Sequence, residues 1–389
     1  MIHRTISEKL IAMGAKFPIV TLTGPRQSGK STLLKSTLAG YKYVSMEDPD
    51  SRLLAIDDPR GFLRTYSDKT IIDEVQRVPD LFSYLQTHVD NENREGMYYL
   101  AGSQNFLLMQ SISQSLAGRT AILTLLPLSH EELKQAGIVP STSDEEIFHG
   151  GYPRIYDKSI HPADFYPNYI QTYVEKDLRL LKNIEDLSKF IRFIKLCAGR
   201  IGQLLNLSSL ANEAGVAVST VQSWLSTLEA SYILYLLKPD HQNYAKRLVK
   251  SPKLYFYDTG LACSLLEIEE AAQVSTHFLR GGLFENMVIN EFIKDSSHVG
   301  QVPRLTFWRD STGNEVDLLV SVKGKQKAYE IKSGATYSPD DFKGVKVWAK
   351  LSQTKPEDCH VIYNGDRGFS TSSGEVLPWP ELSNTIVFT

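Results

Sequence analysis

The sequence predicts an α/β protein with a parallel-sheet domain first, a helical and winged-helix region next, and a second α/β domain at the C-terminal end. Three observations carry that expectation. Residues 1–127 alternate short apolar, β-branched runs with helical spacing and end at Pro127. A glycine-bracketed octapeptide, residues 24–31, sits between one such run and a helix. Residues 305–333 read as strands separated by a polar turn, with Asp317, Glu330 and Lys332 on them.

Composition narrows the classes. With 389 residues, 42% hydrophobic and 22% charged, the chain has the make-up of a globular protein of two or three domains. A formal charge of -3 excludes a global affinity for polyanions, so any nucleic-acid contact has to come from a local patch. Cys197, Cys263 and Cys359 are far apart and lack metal-ligand spacing, which argues against a disulfide framework or a zinc site. No apolar run approaches the roughly 20 residues that cross a bilayer. Residues 1–15, with Arg4, Glu8 and Lys9, read as an amphipathic helix without a secretory apolar core. A cytoplasmic protein with no membrane partner is the expectation.

The first run, residues 17–23, is a buried strand, and helical spacing resumes at Thr32. Between them lies Gly24-Pro25-Arg26-Gln27-Ser28-Gly29-Lys30-Ser31, the phosphate-binding pattern in the setting that it requires. The glycines let backbone N–H groups converge on phosphates, the N-terminal end of the helix adds partial positive charge, and Lys30 reaches the terminal phosphates. Ser31 would place its hydroxyl on Mg²⁺. Pro25 and Arg26 occupy positions the pattern leaves open. ATP with Mg²⁺ is the expected ligand. A glycine-rich turn that binds nothing is the plain alternative.

Residues 70–74, Thr-Ile-Ile-Asp-Glu, form a second apolar run that ends in two carboxylates and resembles a Walker B strand. Asp73 would hold Mg²⁺ and Glu74 would orient the water that attacks the γ-phosphate. A third run, residues 97–102, leads into Ser103 and Gln104, which are either a γ-phosphate sensor or ordinary turn residues.

Beyond Pro127 the pattern turns helical to about residue 200, and Tyr166, Tyr169, Ile170, Tyr173 and Val174 share one face. Such a stripe is core more often than a platform for bases. Residues 205–214 and 219–230 read as the two helices of a winged helix-turn-helix, the second opened by a Ser219/Gln222 capping box. Strands 232–237 and 254–257 would flank a basic hairpin in which Lys238, Lys246, Arg247, Lys250 and Lys253 face only Asp240. That segment, 238–253, is a sequence-nonspecific contact to DNA phosphates, a contact for a protein, or a solvated charged loop. The second helix has no Lys or Arg, which speaks against reading of bases.

In the last segment, residues 283–293 are helical, and strands 305–309, 315–320 and 328–333 follow. A period of two places Glu330 and Lys332 on one face of their strand, and Asp317 joins them if the last two strands pair. A charge-complementary pair on a solvated strand is the plain alternative.

The order of phosphate loop, Asp-Glu strand, polar-tipped strand and Gly118-Arg119 resembles an AAA-type ATPase. More narrowly, the chain is similar to prokaryotic AAA-type ATPases with a C-terminal domain of unknown function built on a restriction-endonuclease-like core. Further stretches that carry the likeness are residues 116–119, Gly150-Gly151-Tyr152-Pro153, Tyr173-Val174-Glu175-Lys176-Asp177 and residues 329–333. The resemblance implies an arginine that completes the ATP site, often from a neighbouring subunit. Arg119 and Arg154 are the candidates, and a surface ion pair is the alternative for both. It also implies a PD-(D/E)xK core in which Asp317 and Glu330 bind Mg²⁺, Lys332 stabilises the attacking water and Glu285 supports them from the preceding helix. Val316 stands where that pattern has proline.

The expected domains are 1–127, 128–200, 201–265 and 266–389. Two functions compete: an ATPase that drives or gates a nuclease on DNA, and an ATP-dependent switch or protein-interaction scaffold with an inactive nuclease fold. A homo-oligomer or a protein partner is compatible with either. A small-molecule kinase is disfavoured, because no acceptor-binding constellation accompanies the loop.

Overall fold

Short β-branched runs buried on both faces pair best in parallel under helices, and the first unit of the protein is built on that rule. The computed structural model describes residues 2–103, 112, 114–174, 186–240 and 249–384. In the first unit, Met1–Leu128 with Ala230–Tyr232 and Ser297–Gln301, the strands are β1 (Ile19–Thr23), β2 (Lys42–Ser45), β3 (Thr70–Asp73), β4 (Tyr98–Ala101) and β5 (Thr120–Thr124). They form one parallel sheet in the order β2-β3-β4-β1-β5.

Alternation along the strands makes two cores. Ile19, Ile72 and Leu100 pack with Phe62, Phe82 and Leu85 on one face. Val20, Leu22, Ile71 and Tyr99 pack with Leu33 and Leu34 of helix Lys30–Thr37 on the other. Strands 17–23, 70–74 and 97–102 were expected, and so was the helical N-terminal segment, which spans Ser7–Gly14. β2 was not anticipated. Of Lys-Tyr-Val-Ser only Val44 is buried, because this is an edge strand, so its sequence lacks the apolar run that marks the others.

The remainder, Ser129–Glu229, Ile233–Ser296 and Val302–Thr389, is one second unit. Bonds join the expected segments 128–200, 201–265 and 266–389 inside this unit. Asp258 accepts the Gly151 N–H at 2.7 Å and the Tyr166 hydroxyl at 2.6 Å, and Arg280 pairs with Asp144 at 3.0 Å. The tyrosine stripe is core: Tyr166, Tyr169 and Tyr173 are buried, and Tyr152 donates to the Tyr169 hydroxyl at 2.9 Å. The side chain of Val174 and residues 175–177 lie outside the described residues.

The expected winged-helix segment contains helices Leu207–Ala214 and Val218–Ala230, joined through Gly215 at φ +70°, and the antiparallel pair β6 (Leu234–Leu237) and β7 (Lys253–Phe256). Val221, Trp224, Leu225 and Leu228 are buried as anticipated. Ser219 does not cap its helix. The Ala217 carbonyl already accepts from Val221, so the helix begins one residue earlier and Ser219 lies inside it.

At the C-terminal end, β8 (Leu305–Arg309), β9 (Glu315–Val322), β10 (Lys325–Lys332), β11 (Cys359–Tyr363), β12 (Phe369–Thr371) and β13 (Gly374–Pro378) make a mixed sheet in the order β12-β13-β11-β10-β9-β8. β8, β9 and β10 are antiparallel neighbours. Helix Lys343–Ser352 makes the crossover to β11, which is parallel to β10, and buries Val345 and Trp348 against Trp308, Leu319 and Val361. Among the described residues, no helix is long and apolar enough to cross a membrane.

The Gly150-Gly151-Tyr152-Pro153 stretch has a structural role. Gly150 has φ +63°, and a Cβ there would lie 2.2 Å from the Tyr166 hydroxyl and 2.4 Å from Asp258 Oδ1. Gly150→Ala is therefore expected to destabilise the second unit by at least about 2 kcal/mol, since steric clash adds to backbone strain. Gly215→Ala, at φ +70° with nothing within 4 Å, should cost about 1 kcal/mol, from strain alone. Urea unfolding of the two variants checks the difference, and equal losses would remove the packing explanation.

Candidate functional site

A loop that cradles phosphate needs a sharp exit from its strand, buried N–H groups and a lysine at the helix start. The sharp exit and the lysine are both present after β1. Gly24 adopts φ +140°, where a Cβ would come within 2.1 Å of the Leu125 carbonyl oxygen, and Gly29 turns at φ +95° into helix Lys30–Thr37. Gln27 is also left-handed, at φ +64°. Ser28 is fully buried and its Oγ has no hydrogen-bond partner, an unmet polar atom inside the loop. Gln27 and Thr32 are exposed, and Arg26, Gly29 and Ser31 half-buried.

Lys30 is folded back on the loop. Its Nζ donates to the Gly24 carbonyl at 3.0 Å and to the Pro25 carbonyl at 2.7 Å. Burial pulls its pKa down to about 8 against the opposing charges of Glu74 and Asp73. Arg4 supports the loop from below, donating to the Ser28 carbonyl at 2.8 Å and to the Leu126 carbonyl at 2.6 Å.

Because β4 lies between β1 and β3, the loop, the Asp73-Glu74 pair and Ser103 come together at the same sheet edge. Asp73 is buried, with Oδ2 accepting from the Tyr43 hydroxyl at 2.6 Å and Oδ1 from the Glu74 N–H at 3.0 Å. Glu74 has the left-handed backbone φ +51°, ψ +39°, a conformation that non-glycine residues keep mainly where the surroundings impose it. Its carboxylate accepts from Gln76 Nε2 at 2.5 Å and from the Ser103 hydroxyl at 3.3 Å. Burial raises the Glu74 pKa, outweighing the attraction of Lys30. Ser103 thus touches Glu74, while Gln104 lies outside the described residues.

Arg119 does not reach this site within its own chain, and it forms the surface ion pair that was the alternative for it. Its carbonyl accepts from Ile19 at the start of β1, whereas the phosphate loop follows Thr23 at the other end. The strand between them spans about 15 Å. The guanidinium is held by Asp90, at 2.6 Å and 2.8 Å. Arg154, in the second unit, is exposed.

The second unit gathers another cluster. β9 and β10 pair antiparallel, the condition on which Asp317 joins Glu330, with Leu318 opposite Tyr329, so Asp317 and Glu330 are the next residues along the two strands. Asp317 Oδ2 accepts the Ile331 N–H at 2.9 Å, and Lys332 Nζ donates to Glu330 Oε1 at 2.5 Å. Glu330 is 8% exposed, and its Oε2 has no partner. Burial, and then the Asp317 charge, raise its pKa. Burial opposes the charge on Lys332, but Glu330 and Asp317 prevail and raise its pKa. Glu285 joins from helix Arg280–His298, as expected, and accepts from the Tyr255 hydroxyl.

One member was placed elsewhere by the sequence. Lys253, counted with the hairpin's phosphate contacts, is only 3% exposed. Its ammonium lies 2.8 Å from Glu285 Oε1 and 3.4 Å from Asp317 Oδ1 and pairs with Glu315. Burial works against this charge, yet Glu285, Asp317 and Glu315 hold the lysine protonated, with its pKa above the ordinary value. Lys253 is therefore no contact for an external phosphate. Lys238 and Lys250 remain exposed, and Lys246 and Arg247 lie outside the described residues. Among the described residues, no group of three or more His, Cys, Asp or Glu side chains is arranged to hold a metal ion.

Sequence reasoning missed Tyr43, Gln76, Arg4 and Glu315 as well. The signal for Tyr43 and Gln76 is faint: both bond to the Asp-Glu pair, Gln76 from two residues beyond it and Tyr43 from the unanticipated edge strand.

Comparison with known proteins agrees with the N-terminal architecture. Residues 16–134 match the family described as AAA domain, and residues 140–272 and 280–382 match two domains of unknown function, DUF8612 and DUF4143. The chain is 32% identical over 377 residues to uncharacterized protein Rv2008c of Mycobacterium tuberculosis and to Mb2031c of Mycobacterium bovis, covering 95% of this chain and 81% of each relative. Among solved structures it is similar to the Walker-type ATPase paby2304 of Pyrococcus abyssi, at 13% identity and TM-score 0.47, over 68% of this chain and 96% of the other. A single-substitution variant of RuvB from Thermotoga maritima is similar at 19% identity and TM-score 0.32, over 59% and 86%.

The position of Arg119 gives a direct test. Arg119→Ala should leave the affinity of the protein for a nonhydrolysable ATP analogue unchanged within about twofold, as an exposed ion pair remote from the ligand contributes little. Fluorescence titration at dilutions where the chain is monomeric checks this, since a neighbouring copy then supplies no arginine, and a tenfold loss of affinity there would put the arginine in its own chain's site.

Proposed function

The chain belongs to the family of the mycobacterial proteins it matches and carries an AAA-type domain, and we propose on that footing that it binds and hydrolyses ATP and acts as an ATP-dependent switch. The single observation that carries this reading is the phosphate loop with its buried, unpartnered Ser28 hydroxyl and its Lys30, facing Asp73 and Glu74 across one sheet edge. The donor set fits the ligand: backbone N–H groups and an ammonium for phosphate, and hydroxyl and carboxylate oxygens for Mg²⁺.

Each residue then has a task. Lys30 exchanges the Gly24 and Pro25 carbonyls for phosphate oxygens, which restore the charge that burial disfavours. Ser31 and Asp73 would hold the Mg²⁺ that accompanies the nucleotide. Mg²⁺ supplies charge neutralisation on the transferring phosphoryl group. Glu74, made more basic than an ordinary carboxylate by burial, orients the water and takes its proton as the γ-phosphoryl group leaves ADP. Ser103 and Gln76 bond the Glu74 carboxylate, and exchanging those bonds for the attacking water would let Glu74 act on it. An arginine from a neighbouring copy, Arg119 or Arg154, would complete the site.

For the second unit, a winged-helix module and a PD-(D/E)xK-like core are the readings that its strand order supports. The long helix is followed by three antiparallel strands, a crossover helix and a parallel strand. DNA contact would rest on Lys238 and Lys250, since Lys253 is committed to carboxylates. That commitment favours the inactive-core switch over a nuclease. The unpartnered Glu330 Oε2 beside Lys332 is what favours cleavage as the second reading.

Lys30→Ala is expected to abolish ATP turnover, and removal of Mg²⁺ by EDTA to do the same, measured by phosphate release. Glu74→Gln should keep ATP bound while kcat falls about 10²-fold or more, and normal turnover would assign the water to another group. Single- and double-stranded DNA and RNA, with and without ATP, should stay intact in Mg²⁺. Cleavage that vanishes in Lys332→Ala while ATP turnover persists would install the nuclease reading.

A further inference from the structure

A buried ammonium among carboxylates does the electrostatic work that a divalent cation does in an oxygen-ligand site. Lys253 comes from β7, outside the strands that carry the carboxylates, yet its Nζ takes Glu285 Oε1 at 2.8 Å and Asp317 Oδ1 at 3.4 Å, with Glu315 as a third partner. The second Asp317 oxygen is used by the Ile331 N–H at 2.9 Å, and Glu330 Oε1 by Lys332 at 2.5 Å. What remains is Glu330 Oε2, buried and without a partner. The residues are of the kind that binds Mg²⁺ or Mn²⁺, but in this arrangement they do not fit a resident metal.

We propose that Lys253 is a built-in cation that fills the metal position of the Glu285–Asp317–Glu330 cluster, so that the cluster takes a divalent ion only when the lysine charge is removed. The observation that points to a vacated coordination role is the unpartnered Glu330 oxygen, which an ion shared with Asp317 would satisfy and a lysine bonded to Glu285, Asp317 and Glu315 does not. The cluster is thereby a structural joint: it ties β7 to helix Arg280–His298 and to β9. The proposal rests on the inactive-core reading but not on ATP turnover, and metal binding can be scored whether or not the protein hydrolyses ATP or cuts DNA.

The test is a Mn²⁺ titration of the 389-residue chain without nucleotide, followed by electron paramagnetic resonance of free Mn²⁺, for the wild type, Lys253→Met and the double variant Lys253→Met/Asp317→Asn. The expected result is one additional bound Mn²⁺ per chain in Lys253→Met, at least tenfold tighter than anything the wild type shows, and lost in the double variant. Mn²⁺ should also raise the melting temperature of Lys253→Met and not that of the wild type. If Lys253→Met does not fold, Lys253→Ser goes through the same titration, and folding that depends on added Mn²⁺ supports the proposal. Asp317-dependent Mn²⁺ binding by the wild type at equal affinity overturns it. So does a folded lysine variant that gains no Mn²⁺, or failure of both variants to fold even with Mn²⁺ present.

Discussion

Parallel pairing of β1 with β4, and of β4 with β3, is the constraint from which the rest of the first unit follows. In a parallel sheet all strands end at the same edge, so whatever follows β1, β3 and β4 in the sequence must meet there. That puts Lys30, Asp73, Glu74 and Ser103 together although they are spread over residues 30–103. The same geometry disqualifies Arg119 within its own chain, because the residue before a strand lies at the opposite edge. Strain follows too: the left-handed Gln27 and Glu74 are held by the loop and by the Ser103 and Gln76 bonds.

The second unit is organised by buried charge instead. Asp258 is held by two backbone N–H groups and the Tyr166 hydroxyl, which fastens the Gly150–Gly151 corner to helix Thr259–Leu265. Lys253 is held by Glu285, Asp317 and Glu315. A buried ion left without its partner costs about 3–5 kcal/mol, so each of these residues commits several segments at once. Three segments that look separable in sequence therefore cohere as one unit.

The chemistry-bearing motifs were legible because their physics is local. A glycine that must turn left-handed, a lysine at the first position of a helix and acids at the end of an apolar run all announce themselves over a few residues. Glu330 and Lys332 share a strand face for the same reason, the period of two. Tyr43 was not legible, since β2 is an edge strand with one buried residue. Lys253 was misplaced because counting charges along a hairpin says nothing of which side chains are buried. The capping role given to Ser219 failed by two residues, since the cap position is Ala217, and helix ends are set on that scale by the turn before them.

By itself, the sequence determined the phosphate loop, the Asp-Glu pair and the strands that carry them, because each depends on dihedral preferences and periodicities that neighbouring residues impose. Tertiary structure alone decided which side chains those groups would face: Tyr43, Gln76 and Ser103 around the Asp-Glu pair, and Lys253 among the C-terminal carboxylates. Such pairings are long-range, and their energies come from burial, which has no value until the chain has folded around them.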